Sequence, residues 1–201
     1  MPAAATTQPA SLNELDANEV LVLLGRVGAR DERAFRQLYE AVHRRVYVFV
    51  MNRLRDPAVA AELVSETLYE VWRRPGAFKG ESRFLTWVLG IARHKMLDRL
   101  RSRGAAHEDI EDHPNLEDAD APEGFRLMAE SEHRAGVAEC IGHLSDVQRE
   151  CMHLVYYEDQ SLAEVSLMQG VPENTVKTRL FHARANVKKC LQRLLAQEAS
   201  A

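Results

Sequence analysis

Apolar residues recur at spacings of three and four along most of the 201-residue sequence. This periodicity constrains the fold more than any other feature, because it places apolar side chains on one face of an α-helix. The strict alternation that a half-buried strand requires is absent. Glycine and proline, the main interrupters of regular structure, number only ten and seven. The sequence therefore predicts an all-α protein.

The helices of the first half are separated by recognisable breaks. A short helix is expected around residues 20–27, followed by longer ones over 35–49, 60–72 and from 84 onward. The second should end near Asp56, because a residue that precedes proline resists helical geometry. The third should end at Pro75 and Gly76. These four helices are enough for one compact bundle.

A second helical region begins at about residue 137. Ser145 with Gln148, and Ser161 with Glu164, have the form of capping boxes, which mark helix N-termini. Gly170 then separates a short helix from a long final one. The final helix keeps an apolar stripe through Val176, Leu180, Ala183, Val187, Leu191 and Leu194.

Charge is distributed very unevenly along the chain. Residues 105–135 hold ten acidic residues and two arginines, whereas residues 71–103 hold nine basic residues and two acids. Such asymmetry suggests two basic modules, joined by an acidic connector, that bind a polyanion. Ordinary solvated helix faces are the alternative explanation. The predicted organisation is two small helical domains joined by a flexible acidic linker: a disordered tail (1–17), a first domain (18–103), the linker (104–131), a second domain (132–196) and a tail (197–201).

Several classes of protein are not expected. No apolar run approaches the roughly 18 residues of a membrane helix, so direct membrane insertion is not predicted. Residues 1–10 lack the basic and apolar regions of a secretion signal. Three cysteines cannot all pair with one another, so a disulfide scaffold is not expected and the reducing cytoplasm is the default location. No cofactor is predicted.

Residues 161–184 have the form of a helix-turn-helix. A short capped helix is followed by a turn at Gly170 and by a second helix that begins at Glu173. In this motif the N-terminal part of the second helix contacts base edges in the major groove. Lys177, Thr178, Arg179 and His182 avoid the apolar stripe, so they are expected to face DNA. An amphipathic hairpin with a basic outer face is the alternative.

The segment from Phe78 to Trp87 lies at a break between two helices and combines aromatic, basic and glycine residues. Single-stranded nucleic acid is bound by such mixtures, because cations follow the backbone and aromatic rings stack on unpaired bases. The alternative is that the aromatic residues belong to the bundle core. Helical spacing favours that alternative for Phe84, whereas Trp87 is balanced between the two interpretations.

Together, these segments resemble a bacterial sigma factor of the extracytoplasmic-function (ECF, group IV, sigma-70 family) type. Residues 31–39 are similar to the start of its promoter-melting domain, and residues 61–73 to its polymerase-docking helix. Residues 78–87 are similar to the segment that opens the minus-10 element. Residues 144–184 are similar to the domain that binds the minus-35 element.

The resemblance implies a function, partners and site residues. The protein would direct core RNA polymerase to promoters, binding the beta-prime clamp and the beta flap, and would help to open promoter DNA. A cognate anti-sigma factor and a role in a stress response are also implied. Docking on polymerase would involve Asp56, Glu62, Leu63, Ser65, Glu66 and Trp72. The minus-10 element would be bound by Phe78, Lys79, Gly80, Glu81, Ser82, Arg83, Trp87, Arg93 and His94. The minus-35 element would be bound by Glu173, Asn174, Thr175, Lys177, Thr178, Arg179, His182 and Arg184.

The sequence departs from the family pattern at several of these positions. Ser65 replaces a common glutamine of the docking helix, and Asn174 replaces a common glycine. His94 stands where an asparagine commonly contacts the minus-10 strand. Leu89 and Gly90 replace tyrosine and arginine. Ser166 and Gln169 replace alanine and leucine of the helix-turn-helix scaffold.

Two other classes of function are alternatives to this one. A dimeric helix-turn-helix regulator would bind a palindrome without polymerase. A metalloprotein could use Cys140, His143, Cys151 and His153, but Cys151 and His153 point in different directions on a helix. Buried thiols and ordinary histidines explain these residues more simply. The sequence holds no arrangement typical of a hydrolase or transferase, so no enzyme activity and no catalytic residues are predicted.

Overall fold

The structure, a computed structural model, describes residues 17–102 and 134–198. Within these ranges all regular secondary structure is helical, which confirms the all-α prediction. The chain divides into two compact units, residues 1–104 and 105–201. The predictions made for the acidic linker, for residues 1–16 and for residues 199–201 lie outside the described residues.

The described part of unit 1 forms a helical bundle. Its elements are α1 (Ala17–Gly28), α2 (Glu32–Leu54), α3 (Pro57–Arg73), a 3-10 turn (Pro75–Ala77) and α4 (Phe84–Ser102). Helix α2 lies centrally and contacts α1, α3 and α4. The core is built from aliphatic side chains with almost no exposed surface, among them Leu38, Val46, Leu63, Val88 and Met96.

Two aspartates fix where the long helices of unit 1 begin. The Asp31 carboxylate accepts hydrogen bonds from the backbone N–H groups of Arg33 and Ala34, and thereby caps α2. Asp56 caps α3 in the same way, and Pro57 occupies the first turn of that helix. A carboxylate at this position satisfies backbone donors that have no partner within the helix.

The described part of unit 2 is built around one long helix. Its elements are α5 (Arg134–Gly142), α6 (Asp146–Tyr156), α7 (Leu162–Gln169) and α8 (Glu173–Glu198). Helix α8 contacts each of the other three. The predicted capping box between Ser161 and Glu164 is present at the start of α7. Gly170 ends α7 with φ of 68°, a left-handed conformation that glycine adopts without steric cost.

Cys140 of α5 is joined to Cys190 of α8 by a disulfide, with a Cα–Cα distance of 5.7 Å. This differs from the expectation based on cysteine number. Although three cysteines cannot all pair, two of them occupy facing core positions on helices that pack together. The third, Cys151, is buried and takes no part in a disulfide.

Candidate nucleic-acid interface

Helix α3 presents most of its predicted polymerase-docking residues at the surface of unit 1. Glu62 and Ser65 are exposed, and Glu66 is half-buried. Asp56 lies at the N-terminus of the helix, where its carboxylate is engaged in capping. Leu63 is only 1% exposed, so it belongs to the core and does not lie at the surface with the other predicted docking residues. We call the surface formed by Glu62, Ser65, Glu66 and Trp72 the docking face.

Ion pairs from α4 hold the two glutamates of the docking face. The Arg99 guanidinium donates to Glu62 at 2.8 Å and to Glu66 at 3.3 Å. Lys95 lies 3.8 Å from the second carboxylate oxygen of Glu66. The hydrogen bond to Glu62 also raises the pKa of Arg99 above its usual range. The docking face and the predicted minus-10 helix therefore share one network of charges.

Trp72 is the aromatic anchor of the docking face. Its ring meets Phe35 of α2 edge-to-face at a centroid distance of 5.1 Å. The guanidinium of Arg30 lies 5.4 Å from the ring centroid, within range of a cation–π interaction. These two contacts fix the indole while leaving part of it accessible.

A surface cavity of about 690 Å³ lies between α2 and α3, beside Trp72. Its lining includes Phe35, Tyr39, Ser65 and Tyr69. Phe35, Tyr39 and Tyr69 were not among the predicted docking residues. Their aromatic side chains on predicted helices are the available sequence signal, and that signal does not distinguish a surface position from a core position. Tyr69 is in fact 62% exposed.

The aromatic residues of the predicted minus-10 segment form a compact cluster. Phe78 and Phe84 meet edge-to-face at a centroid distance of 5.8 Å, and both are buried. Trp87 packs against them at 5.4 and 6.0 Å but keeps part of its surface exposed. Phe78 was predicted to contact DNA. The structure instead places it in the core, where it supports Trp87 and the loop.

The loop from Lys79 to Arg83 lies on the surface, as expected. The Lys79 ammonium donates to the Gly76 carbonyl at 3.1 Å, which closes the loop on itself. Gly80 has φ of 77°, and Leu21 of α1 lies 3.5 Å from the position that a Cβ atom would occupy. The left-handed φ favours glycine at this turn, whereas the 3.5 Å contact with Leu21 is of ordinary van der Waals length. Lys79, Glu81 and Arg83 are exposed, and Ser82 is half-buried.

Helix α4 separates two neighbouring residues of the predicted minus-10 site. Arg93 is buried, so its guanidinium is held within the bundle. His94 is exposed, and its Nδ1 lies 3.0 Å from the Gly90 carbonyl oxygen. The candidate surface for unpaired DNA thus consists of Lys79–Arg83, Trp87 and His94.

The predicted minus-35 residues also divide between surface and interior. Glu173, Asn174 and Lys177 are exposed on the first turns of α8, and Thr175 and His182 are partly exposed. Thr178 is buried and donates its hydroxyl to the Asn174 carbonyl at 2.9 Å. Arg179 is only 5% exposed.

Arg179 belongs to a buried polar cluster that joins the helices of the helix-turn-helix. Its guanidinium donates to Gln169 Oε1 at 2.9 Å, and the Gln169 amide donates to Glu150 Oε1 at 3.2 Å. The Cys151 thiol donates to the same Gln169 oxygen at 3.3 Å. The four residues come from α6, α7 and α8, so they fix how these helices pack.

Arg184 follows His182 by two residues on α8 and is half-buried. It donates to the hydroxyl of Tyr156 at 3.1 Å. Burial lowers the pKa of Arg184 and raises that of Tyr156, because the charged form of each is less well solvated there. The contact holds one guanidinium beside the exposed face of α8.

The described residues contain no helix long and apolar enough to cross a membrane. Nor do they contain a group of three or more histidine, cysteine, aspartate or glutamate side chains placed to hold a metal ion. The metal set considered from the sequence is not assembled in this part of the chain. Cys140 is bonded to Cys190, and Cys151 points at Gln169.

These observations define a class of protein. A helical bundle exposes a basic and aromatic segment beside a docking face, and a separate unit carries a helix-turn-helix. Both are features of transcription factors that contact promoter DNA at more than one element. Residues 38–106 match Sigma-70 region 2, and residues 134–187 match Sigma-70, region 4.

Two relatives cover nearly the whole chain. The ECF RNA polymerase sigma factor SigK of Mycobacterium sp. strain JLS is 33% identical over 192 residues, which cover 93% of this chain and 97% of the relative. SigK of Mycobacterium tuberculosis strain H37Rv is 33% identical over 191 residues, covering 92% and 98%. The chain belongs to the ECF RNA polymerase sigma factors. It is a transcription initiation factor that directs RNA polymerase to promoters.

Two solved structures share the fold. CnrH, in complex with the cytosolic domain of CnrY, has a TM-score of 0.61 at 21% identity, covering 89% of this chain and 99% of that one. The sigma factor RpoE of Bartonella quintana, in complex with the anti-sigma factor NepR, has a TM-score of 0.59 at 23% identity, covering 79% and 96%.

Proposed function

We propose that the chain brings core polymerase to promoters through three surfaces. The docking face of α3 binds the beta-prime clamp, and unit 2 also contacts the beta flap. The surface formed by Lys79–Arg83, Trp87 and His94 captures the minus-10 strand. The exposed N-terminal turns of α8 bind the minus-35 element. The observation that carries this proposal is that Glu62, Ser65 and part of Trp72 are accessible on one face of α3.

Each of the three surfaces would have a different role. Exposed Asn174 and Lys177 lie at the start of α8, the part of a recognition helix that reaches base edges in the major groove. Trp87 presents an aromatic face for an unpaired base, and Lys79 and Arg83 attract phosphates. Because one chain carries both DNA-binding units, binding of the second element becomes intramolecular and therefore more favourable.

Strand opening would be driven by binding free energy alone. Stacking of an unpaired base on an aromatic side chain contributes about 1–3 kcal/mol, which offsets part of the cost of separating base pairs. We propose that the chain catalyses no chemical step itself. The buried predicted residues Leu63, Phe78, Arg93, Thr178 and Arg179 would position the exposed ones.

Regulation by a cognate anti-sigma factor is part of the proposal. It is supported by the two structural relatives, RpoE in complex with NepR and CnrH in complex with CnrY. A cytoplasmic location and a role in a stress response are proposed on the family resemblance. An anti-sigma factor of this kind should compete with core polymerase for the docking face.

A pair of matched serine variants tests the docking face. Ser65 and Ser102 are both exposed on helices of unit 1, and both donate to the carbonyl four or three residues earlier, at 3.0 and 2.8 Å. Ser65→Arg places a bulky cation in the centre of the docking face, whereas Ser102→Arg places it at the end of α4. We expect Ser65→Arg to weaken binding of the full chain to core polymerase at least about tenfold, with Ser102→Arg within about twofold of the unmodified protein. Equal affinities for the two variants would contradict the assignment.

A further inference from the structure

Gly90 is a helical glycine that the fold does not explain. It lies in the interior of α4, where glycine is about 1 kcal/mol less favourable than alanine. A Cβ atom at this position would meet nothing within 4 Å, so packing does not exclude a side chain. The backbone of Gly90 is not left-handed either. What glycine provides here is an open place on the surface of the helix.

Two aromatic side chains flank this open place. Trp87 precedes Gly90 by about one turn, and His94 follows it by about one turn. Trp87 packs against Phe78 and Phe84, at centroid distances of 5.4 and 6.0 Å. Seven residues of helix span about 10.5 Å, whereas a base occupies about 3.4 Å of stacking height. Trp87, Gly90 and His94 therefore lie on one face of α4, and we call the stretch of that face between the two rings the Gly90 notch; its length along the helix axis exceeds the stacking height of one flat ring system.

The hydrogen bond of His94 determines what the notch offers to a ligand. Its Nδ1 lies 3.0 Å from the Gly90 carbonyl oxygen, and a carbonyl can only accept, so Nδ1 carries the proton. In the neutral imidazole Nε2 is then an acceptor without a proton of its own. The side chain is exposed, so this acceptor is available to a bound molecule. An asparagine at the same position would offer both a donor and an acceptor.

The surroundings favour a nucleic acid as the source of the bound ring. Arg83 and Lys79 lie on the exposed loop before α4, and Arg101 is exposed near its end. These cations suit a phosphate backbone that passes over the helix. An unpaired base can then lie against the notch and present its Watson–Crick edge to His94.

We propose that the Gly90 notch seats one unpaired base of the minus-10 strand and selects a base with an exocyclic amino group. The assignment rests on the proposed function and adds a base preference to it. Adenine, cytosine and guanine each offer an amino N–H to Nε2 of His94. Thymine has no amino group. Its ring N–H lies between two carbonyl oxygens, and the lone pairs of these oxygens repel the lone pair of Nε2. Thymine is therefore the base that the notch disfavours.

The base preference can be measured with the full chain and core polymerase on a promoter library randomised across the minus-10 element. We expect one position at which thymine is depleted at least about fivefold among opened promoters. In His94→Ala this depletion should vanish while preferences at the other positions persist. His43→Ala is the matched control, because His43 of α2 makes the same Nδ1 contact, at 3.1 Å to the Tyr39 carbonyl. It should leave every preference unchanged.

A chemical probe then tests the amino group itself. At a position where adenine is selected, replacing it by purine removes only the exocyclic amine. The unmodified protein should lose about tenfold in open-complex formation with the purine template, and His94→Ala should not distinguish the two templates.

A substitution that fills the notch distinguishes a loss of DNA binding from a loss of protein stability. Gly90→Ala replaces a helical glycine in open space, so the melting temperature of unit 1 should rise by about 4 °C. Open-complex formation should nevertheless fall at least about tenfold. Gly25→Ala in α1 is the matched control, because a Cβ there also meets nothing within 4 Å. It should raise the melting temperature without changing open-complex formation.

The outcomes discriminate between the notch and the function on which it rests. If polymerase with the unmodified chain opens promoters but thymine is enriched at the His94-dependent position, the notch assignment is overturned. It is also overturned if His94→Ala changes no preference, or if Gly90→Ala stabilises unit 1 and opens promoters normally. If no template is opened by the unmodified holoenzyme, the proposed function fails and the notch assignment fails with it.

Discussion

Replacing Arg179 by methionine removes a buried cation from the helix-turn-helix while keeping most of its apolar stem. The sequence pattern places Arg179 against DNA, whereas the structure gives its guanidinium a partner inside unit 2, Gln169 at 2.9 Å. The two interpretations predict different results for Arg179→Met. A DNA contact would cost affinity alone, and an interior hydrogen bond would cost stability.

The expected loss of stability follows from the contact. A hydrogen bond to a charged group contributes about 1.5–3 kcal/mol, so we expect the free energy of unfolding of unit 2 to fall by about 2 kcal/mol. The Gln169 oxygen keeps a weak donor, the Cys151 thiol at 3.3 Å, which limits the loss. A decrease of 2 kcal/mol corresponds to about 30-fold faster hydrogen exchange through global opening.

Hydrogen exchange of the full chain, read by mass spectrometry over residues 146–198, localises the effect to unit 2. Lys177→Met is the matched control, because Lys177 is exposed on the same helix and its loss should leave exchange within about threefold. The reasoning is refuted if Arg179→Met leaves the exchange of unit 2 unchanged and weakens binding to minus-35 duplex DNA as much as Lys177→Met does.

Three further predictions concern the stability of each unit. Reducing the Cys140–Cys190 disulfide, which spans 50 residues, should lower the free energy of unfolding of unit 2 by up to about 4 kcal/mol in urea titrations with and without a thiol reductant. Equal midpoints in the two titrations would contradict this. Gly170→Ala should cost about 1–2 kcal/mol, because φ of 68° is strained for a residue with a Cβ atom; a cost below 0.5 kcal/mol would exclude such strain. The hydrogen bond from Arg26 holds the pKa of Asp31 below its ordinary value of 3.8, so its contribution to stability is present above that pH and is lost as the pH falls through the lowered pKa. In Asp31→Asn, which retains a capping oxygen, thermal melts should show less acid sensitivity between pH 4 and pH 2, and an unchanged acid profile would refute the linkage.

The helices and their ends could be predicted from local chemistry. Pro57 and Gly170 mark breaks because their backbone preferences act independently of distant residues. The capping box of Ser161 and Glu164 likewise depends on residues three apart. These features depend only on neighbouring residues, so the local sequence is sufficient to predict them.

Burial of polar and aromatic residues could not be predicted so well. Arg179 avoids the apolar stripe of its own helix, yet α6 and α7 cover it and supply Gln169 and Glu150 as polar neighbours. Phe78 lies in a loop, yet Phe84 and Trp87 enclose it. In each case the deciding neighbours are distant in sequence or on another element, so periodicity along one segment carries no information about them.

The disulfide illustrates the same limit. Cysteine number and compartment argue against it, but they say nothing about which side chains meet. Helices α5 and α8 pack with Cys140 and Cys190 opposed, at a Cα–Cα distance of 5.7 Å. That proximity follows from the packing of two helices and from nothing local to either cysteine.

The central claim is that this chain gives core polymerase its promoter specificity. Run-off transcription with core polymerase free of other sigma factors, on fragments of genomic DNA, tests it most directly. We predict discrete transcript 5′ ends that depend on the chain and disappear with Ser65→Arg while persisting with Ser102→Arg. Absence of discrete 5′ ends, in a reaction where the chain is demonstrably bound to core polymerase, would contradict the account.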